Sequence, residues 1–135
     1  MFCHETAIRV RYSETDQMGV VYYGNYAQYL EVGRAEAIRS LGLTYRELEE
    51  TGVLMPVTRL ELNYLRPARY DDLLTVKTCL RELPGNSITF YGEIFNPTGK
   101  LLTTGLVTLA FLHVATGKTG AAPEAITERL RPWFP

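Results

Sequence analysis

Apolar and polar residues alternate at Ile8, Val10 and Tyr12, with Arg9 and Arg11 between them, which predicts a half-buried strand near the start of the chain. From Tyr26 the period lengthens. Tyr26, Tyr29, Leu30, Gly33, Ala37 and Leu41 fall on one helical stripe, and Gln28, Glu31 and Arg39 fall opposite, so the spacing predicts one long amphipathic helix. Asn25 followed three places later by Gln28 suggests a capping-box start, and Gly42 a C-terminal stop. A glycine inside a helix costs about 1 kcal/mol relative to alanine, so Gly33, with Ala37 on the same stripe, predicts close packing of the helix on a sheet.

Tyr45 to Glu50 predicts a short helical turn ending at Gly52, and strand periods dominate thereafter. Leu60, Leu62 and Tyr64 alternate with Arg59, Glu61 and Asn63 until Pro67 breaks the run. Leu74, Val76 and Leu80 alternate with Thr75, Lys77 and Arg81, and Pro84-Gly85-Asn86 turns the chain into a strand from Ile88 to Phe95. Asn96-Pro97-Thr98-Gly99 turns it again. The segment Leu101 to Val114 is apolar at odd and even positions around Leu106 to Leu112, as in a central strand, and Pro123 to Leu130 predicts a last short helix. One long helix and about five strands, four of them meandering, predict an α+β fold with an antiparallel sheet. A helix of roughly 17 residues is about 25 Å long and covers one face only, so the other face and the sheet edges predict a homo-oligomer.

The chain of 135 residues predicts one domain, residues 1–135. Its 14 basic and 15 acidic residues are interspersed at a formal charge of -1, which makes neither nucleic acid nor an anionic membrane the expected partner. No apolar run approaches the roughly 18 to 20 residues that cross a bilayer. Two cysteines, Cys3 and Cys79, and an opening unlike a signal peptide predict free thiols in a reducing, cytoplasmic setting.

Several chemistries lack their residues. His4 and His113 lie far apart and the cysteines are isolated, so no metal-ligand spacing exists, and there is no Walker A loop, dinucleotide fingerprint or Gly-x-Ser-x-Gly elbow. His4 is expected in a disordered terminus, and His113 near the end of a central strand as a core or surface residue. What remains is Asp16, which stands before Gly19, the pair Val20-Val21, three tyrosines at 22, 23 and 26, and the helix start. An aspartate in such a turn is often structural. Here apolar walls, one carboxylate and the open N–H groups of a helix N-terminus together make up the parts of a hydrolytic site.

The run Thr15-Asp16-Gln17-Met18-Gly19-Val20-Val21-Tyr22-Tyr23-Gly24-Asn25-Tyr26 resembles the active-site signature of hot-dog-fold acyl-CoA thioesterases of the 4-hydroxybenzoyl-CoA thioesterase type, including the Tol-Pal-associated branch. Tyr64 to Asp72, with its Pro-Ala-Arg, resembles the family's strand-to-turn segment, and the order of elements agrees from about Ile8 to Val114. The resemblance implies a hot-dog fold, one long helix wrapped by a five-stranded antiparallel sheet, with active sites at a dimer interface. It implies hydrolysis of a short- or medium-chain or aromatic acyl-CoA without metal or cofactor. Asp16 would attack the thioester carbonyl or activate water, and the backbone N–H of Tyr23 would polarise the carbonyl. Gly19, Val21, Gly24, Tyr26, Met55, Arg59 and Ser87 are the expected substrate contacts, with Arg59, Arg66, Arg69 and Arg81 the candidates for the CoA phosphates. Tyr23 stands where the Tol-Pal-associated branch usually has histidine, which removes a histidine-assisted mechanism at that position. A homodimer or a homotetramer (dimer of dimers) is the expected assembly. The alternatives are an acyl-carrier-protein thioesterase, with acyl carrier protein as partner, and a non-catalytic acyl-CoA-binding scaffold.

Overall fold

The computed structural model describes residues 1–135. Strand β1 spans Phe2–Arg9 and begins earlier than the alternation at Ile8, Val10 and Tyr12 suggested. Val10 is buried just past its end, and Tyr12 is exposed in a 3-10 turn, Tyr12–Glu14. His4 is not in a disordered terminus: it lies in β1 opposite Thr78, its Nδ1 enclosed without a partner.

Helix α1 spans Asn25–Ser40 and buries Tyr26, Tyr29, Leu30, Gly33, Ala37 and Ile38, and with them Arg34. The expected capping box does not form. Gly24 is the N-cap and supplies no side-chain acceptor, while Asn25 turns its amide back to donate to the Glu14 carbonyl at 2.8 Å. Helix α2, Tyr45–Glu50, starts where the pattern placed it, because the Thr44 hydroxyl accepts the Glu47 N–H at 3.1 Å.

The remaining strands are β2 (Val53–Leu54), β3 (Val57–Tyr64), β4 (Leu73–Leu80), β5 (Ser87–Phe95), β6 (Leu101–Ala110), β7 (Leu112–His113) and β8 (Lys118–Thr119), followed by α3 (Glu124–Leu130). Five strands form one antiparallel sheet in the order β1-β4-β5-β6-β3. Only β4 to β6 meander, since β1 takes the edge of β4 and sends β3 across the sheet to pair with β6. Strands β2, β7 and β8 make a small second sheet that the periodicity did not separate from the first.

Helix α1 packs over β1, β4 and β5. The approach is as close as Gly33 implied: a Cβ there would stand 2.6 Å from Thr78 Oγ1 and 2.8 Å from Val76 Cγ1. Gly92 and Gly105 oppose each other on β5 and β6 and leave a notch for Leu30, which a Cβ on either would overlap.

Two consequences of the topology were not visible in the residue pattern. Cys3 and Cys79 are not free thiols: the antiparallel register sets them directly opposite with Cα atoms 4.1 Å apart, and they form a disulfide between β1 and β4. On the far edge of the sheet, β3 has no strand on its outer side. Its apolar residues Val57, Leu60 and Tyr64 are 51%, 45% and 48% exposed, because α1 lies over the other half of the sheet. No helix is long and apolar enough to cross a membrane.

Candidate active site

The segment leaving β1 folds back on itself at Asp16. Asp16 Oδ1 accepts the Met18 N–H at 2.8 Å and, at a longer 3.5 Å, the Val20 N–H, so the carboxylate closes its own turn. The Asp16 carbonyl accepts the Gly19 N–H at 3.0 Å, and Gly19 sits at φ +77°, a left-handed conformation that disfavours any residue with a Cβ. A bridge from Thr15 to Val21 closes the loop on itself, and one from Val20 to Arg69 fastens it to the connection between β3 and β4. Asp16 Oδ2 accepts no hydrogen bond from the chain.

The chain next enters α1 through Tyr22, Tyr23 and Gly24. The Tyr22 N–H is satisfied by the Glu14 carbonyl at 2.9 Å, but neither the Tyr23 nor the Gly24 N–H meets an acceptor. Gly24 is the N-cap and Tyr23 the residue before it, so both N–H groups lie at the N-terminal end of α1, where the helix dipole favours negative charge. Tyr64 of β3 fixes this turn by donating its hydroxyl to the Tyr23 carbonyl at 3.0 Å. Val21, Tyr23, Tyr26, Tyr64, Leu65, Arg66 and Pro67 line a cavity of about 270 Å³ beside it. Tyr26 accepts the Ala68 N–H at 3.0 Å. Burial raises its phenol pKa, the Ala68 hydrogen bond opposes the rise, and the nearby carboxylate of Asp16 adds to it. The aromatic cavity thus adjoins Tyr23 at the helix start, and Asp16, which does not line it, lies near enough for its charge to act on the Tyr26 phenol.

A model of the thioesterase superfamily matches residues 18–103. YneP of Bacillus subtilis (strain 168), a provisionally named acyl-CoA thioesterase, is 40% identical over 101 residues, 75% of this chain and 73% of its own. The acyl-CoA thioester hydrolase YbgC of Escherichia coli O157:H7 is 30% identical over 124 residues, 92% of each chain. The crystal structure of a DHNA-CoA thioesterase from Staphylococcus aureus superposes with a TM-score of 0.85 at 37% identity, covering 100% of this chain and 85% of that one. The chain belongs to the thioesterase superfamily. It is an enzyme of that family with the hot-dog fold, its α1 held against the five-stranded antiparallel sheet.

Within this thioesterase fold the expected site residues separate into two groups. Val21, Tyr23 and Tyr26 line one cavity at the start of α1, Gly19 lies in the Asp16 loop that leads to it, and Gly24 packs so closely on the Tyr22 ring that a Cβ would stand 2.8 Å from Tyr22 Cε2. Met55, Arg59 and Ser87 lie elsewhere in the chain. Met55 lines a different cavity, Arg59 pairs with Glu61 on the sheet face away from α1, and Ser87 opens β5 opposite Ala110. Arg81 lies 3.7 Å over the Tyr91 ring on that same outer face, whereas Arg66 borders the aromatic cavity and Arg69 adjoins the Asp16 loop.

One residue that the pattern did not single out holds the neighbourhood together. Glu14, only 8% exposed, accepts the Arg11 N–H at 2.8 Å and the Tyr29 hydroxyl at 3.0 Å through its carboxylate. Its own carbonyl receives the Tyr22 N–H and the Asn25 amide, so it ties the Asp16 loop to the first turns of α1. Burial, followed by the adjacent Glu14 charge, raises the Tyr29 phenol pKa and keeps it the donor. An acid two residues before Asp16 reads as ordinary surface charge until the fold encloses it.

Proposed function

We propose that this thioesterase hydrolyses acyl-CoA thioesters, with Asp16 acting on the carbonyl carbon and the N–H groups at the start of α1 on its oxygen. The observation that carries the reading is the pairing of an anchored carboxylate, one oxygen uncommitted, with the unpaired Tyr23 and Gly24 N–H groups. The names of YneP and YbgC support the substrate class. As a nucleophile adds to the thioester carbon, charge collects on the oxygen, where a fixed donor contributes about 2.7 to 4 kcal/mol. Collapse of the adduct breaks the C–S bond and returns the electron pair to sulfur, and the thiol leaves with a proton. Neither histidine lines the cavity beside Tyr23: His113 Nε2 lies 2.9 Å from the Ala121 carbonyl oxygen, and His4 sits in β1 with its Nδ1 enclosed. Asp16 therefore handles the proton, or is itself acylated and released by water.

Thiol release over acetyl, butyryl, hexanoyl, lauroyl and benzoyl CoA tests the activity and defines the acyl group. Full turnover by Asp16→Asn on that panel would overturn the role of Asp16. One turnover in ¹⁸O-water separates the two routes, since only direct attack passes the label through the Asp16 carboxylate. Arg66 and Arg69 are the better-placed candidates for the CoA phosphates, and a parallel assay with the matching acyl carrier protein ester distinguishes the carrier.

The assembly belongs to the same reading. A β3 with no strand on its outer side, and with apolar side chains half exposed, matches the edge of a sheet continued by a second copy. That pairing would also close the open side of the Tyr64 cavity. A mass near 15.3 kDa by light scattering at micromolar concentration would overturn it.

A further inference from the structure

Helix α1 begins on Gly24, an N-cap with no side chain to brace the first turn, and the Tyr26 N–H reaches the Tyr23 carbonyl only at 3.4 Å. The shorter bond to that carbonyl comes from outside the helix. Tyr64, the last residue of β3, donates its hydroxyl to it at 3.0 Å. The Tyr64 backbone pairs with Thr103 of β6, and the N–H groups of the next two residues, Leu65 and Arg66, both reach the Leu102 carbonyl, at 2.8 and 3.0 Å. Its ring stands edge-on to Tyr26 and to Tyr23, with centroids 5.3 and 6.5 Å away. Tyr26 is itself fixed, since it is buried and its hydroxyl accepts the Ala68 N–H. A phenol that is 48% exposed has water as a ready partner, so its bond to a main-chain carbonyl adds little to stability. What the bond does is set one peptide plane.

That plane adjoins the proposed donors. On one side of Tyr23 the Tyr22 N–H is held by the Glu14 carbonyl at 2.9 Å, and on the other the Tyr23 carbonyl is held by Tyr64, so the Tyr23 N–H stands between two pinned peptide groups. The Gly24 N–H belongs to the same peptide as the Tyr23 carbonyl. No peptide bond in the chain is cis, so this N–H points away from Tyr64, and a hydrogen bond received by the carbonyl polarises the amide and strengthens its N–H as a donor. We propose that Tyr64 is a positioning residue for the hydrolysis: its hydroxyl, acting through the Tyr23 carbonyl, fixes and strengthens the N–H groups that meet the charge on the thioester oxygen. This rests on the hydrolytic reading and adds to it a side chain from the edge strand of the sheet. Fixed donors act most strongly where charge develops, so loss of the hydroxyl falls on turnover rather than on substrate binding.

The test is thiol release from the CoA ester that the parent turns over best, followed across pH in two variants of the full chain. Tyr64→Phe, which removes the hydroxyl and keeps the ring, is expected to lower kcat about tenfold with KM changed less than about twofold. Its melting temperature and its mass by light scattering are expected to match the parent. The second variant replaces Tyr64 by 3,5-difluorotyrosine, a more acidic phenol of nearly the same shape. Burial raises the parent Tyr64 phenol above its ordinary 10.0, Tyr23 adds to the rise, and Tyr23, Tyr26 and Arg66 are the titratable or charged residues that line the cavity with it. The parent hydroxyl therefore remains a donor through neutral and mildly alkaline pH. The fluorinated phenol ionises lower and a phenolate cannot donate, so kcat is expected to show an added alkaline fall that is absent from both the parent and Tyr64→Phe. The proposal is overturned if Tyr64→Phe keeps the parent kcat, or if its loss lies in KM alone, which would put the hydroxyl on the substrate. It is also overturned if the fluorinated chain keeps the parent pH profile, which would reduce Tyr64 to a structural contact whatever the stability of Tyr64→Phe. An active parent with an insensitive Tyr64→Phe leaves the hydrolytic reading standing, whereas absence of thiol release in the parent removes both.

Discussion

Two stretches of the same helix leave hydrogen-bonding groups without partners, and the two cases differ in kind. At the N-terminus the free groups are the backbone N–H of Tyr23 and Gly24, both exposed residues that water serves at little cost. At Arg34, in the body of the helix, the free group is the guanidinium Nε, enclosed where the side chain lies against the core. The first is a consequence of helix geometry and is available to any ligand that brings negative charge. The second opposes folding. An unmet hydrogen bond is thus informative in proportion to its burial.

The comparison can be broken in four places. Asp16→Asn should bring the largest effect, a loss of about 10²–10⁴-fold in kcat with the melting temperature nearly unchanged, measured by thiol release and calorimetry. A large drop in stability instead would make the Asp16 turn structural. Glu14→Ala should cost about 2–4 kcal/mol, since it strands the Arg11 N–H and the Tyr29 hydroxyl and unties the loop from α1. Glu14→Gln, which keeps an acceptor, should recover part of this in urea unfolding. Arg34→Met should move the other way and stabilise by about 1–3 kcal/mol, because an enclosed and unpartnered Nε is exchanged for an apolar side chain of similar length. A destabilised Arg34→Met would show the guanidinium to be satisfied after all.

The smallest effect concerns pH. Burial pushes the Tyr45 phenol up to about 12 from 10.0; Arg34 lies near enough to pull the other way, though the two share no hydrogen bond of normal geometry. Between these values the folded chain keeps a proton that the unfolded chain has lost, so stability present below pH 10 falls as pH rises towards 12. Tyr29 adds to the slope in the same direction. Urea midpoints across that window should fall less steeply in Tyr45→Phe than in the parent.

Much of this was legible along the chain where the cause is local. The stripe from Tyr26 to Ala37 is the buried face of α1, Gly33 marks its close approach to β4, and Tyr45–Glu50 is α2. Asp16, Gly19 and Tyr23 stand out because a turn and a helix start have their own residue requirements. The capping box failed on a non-local competitor, since the Asn25 amide found the Glu14 carbonyl eleven residues back. The expected meander failed at β3 because strand order depends on which edge β1 occupies.

By itself, then, the sequence determined the periods, the turns and the catalytic-looking dodecapeptide, all set by interactions within a few residues. Tertiary structure alone decided the Cys3–Cys79 bond, the enclosure of Glu14 and Arg34, and where Met55, Arg59 and Ser87 stand within one chain. Each of these depends on pairing register and burial between segments tens of residues apart. A period of two or 3.6 states which face a residue takes, but carries no record of what that face will meet.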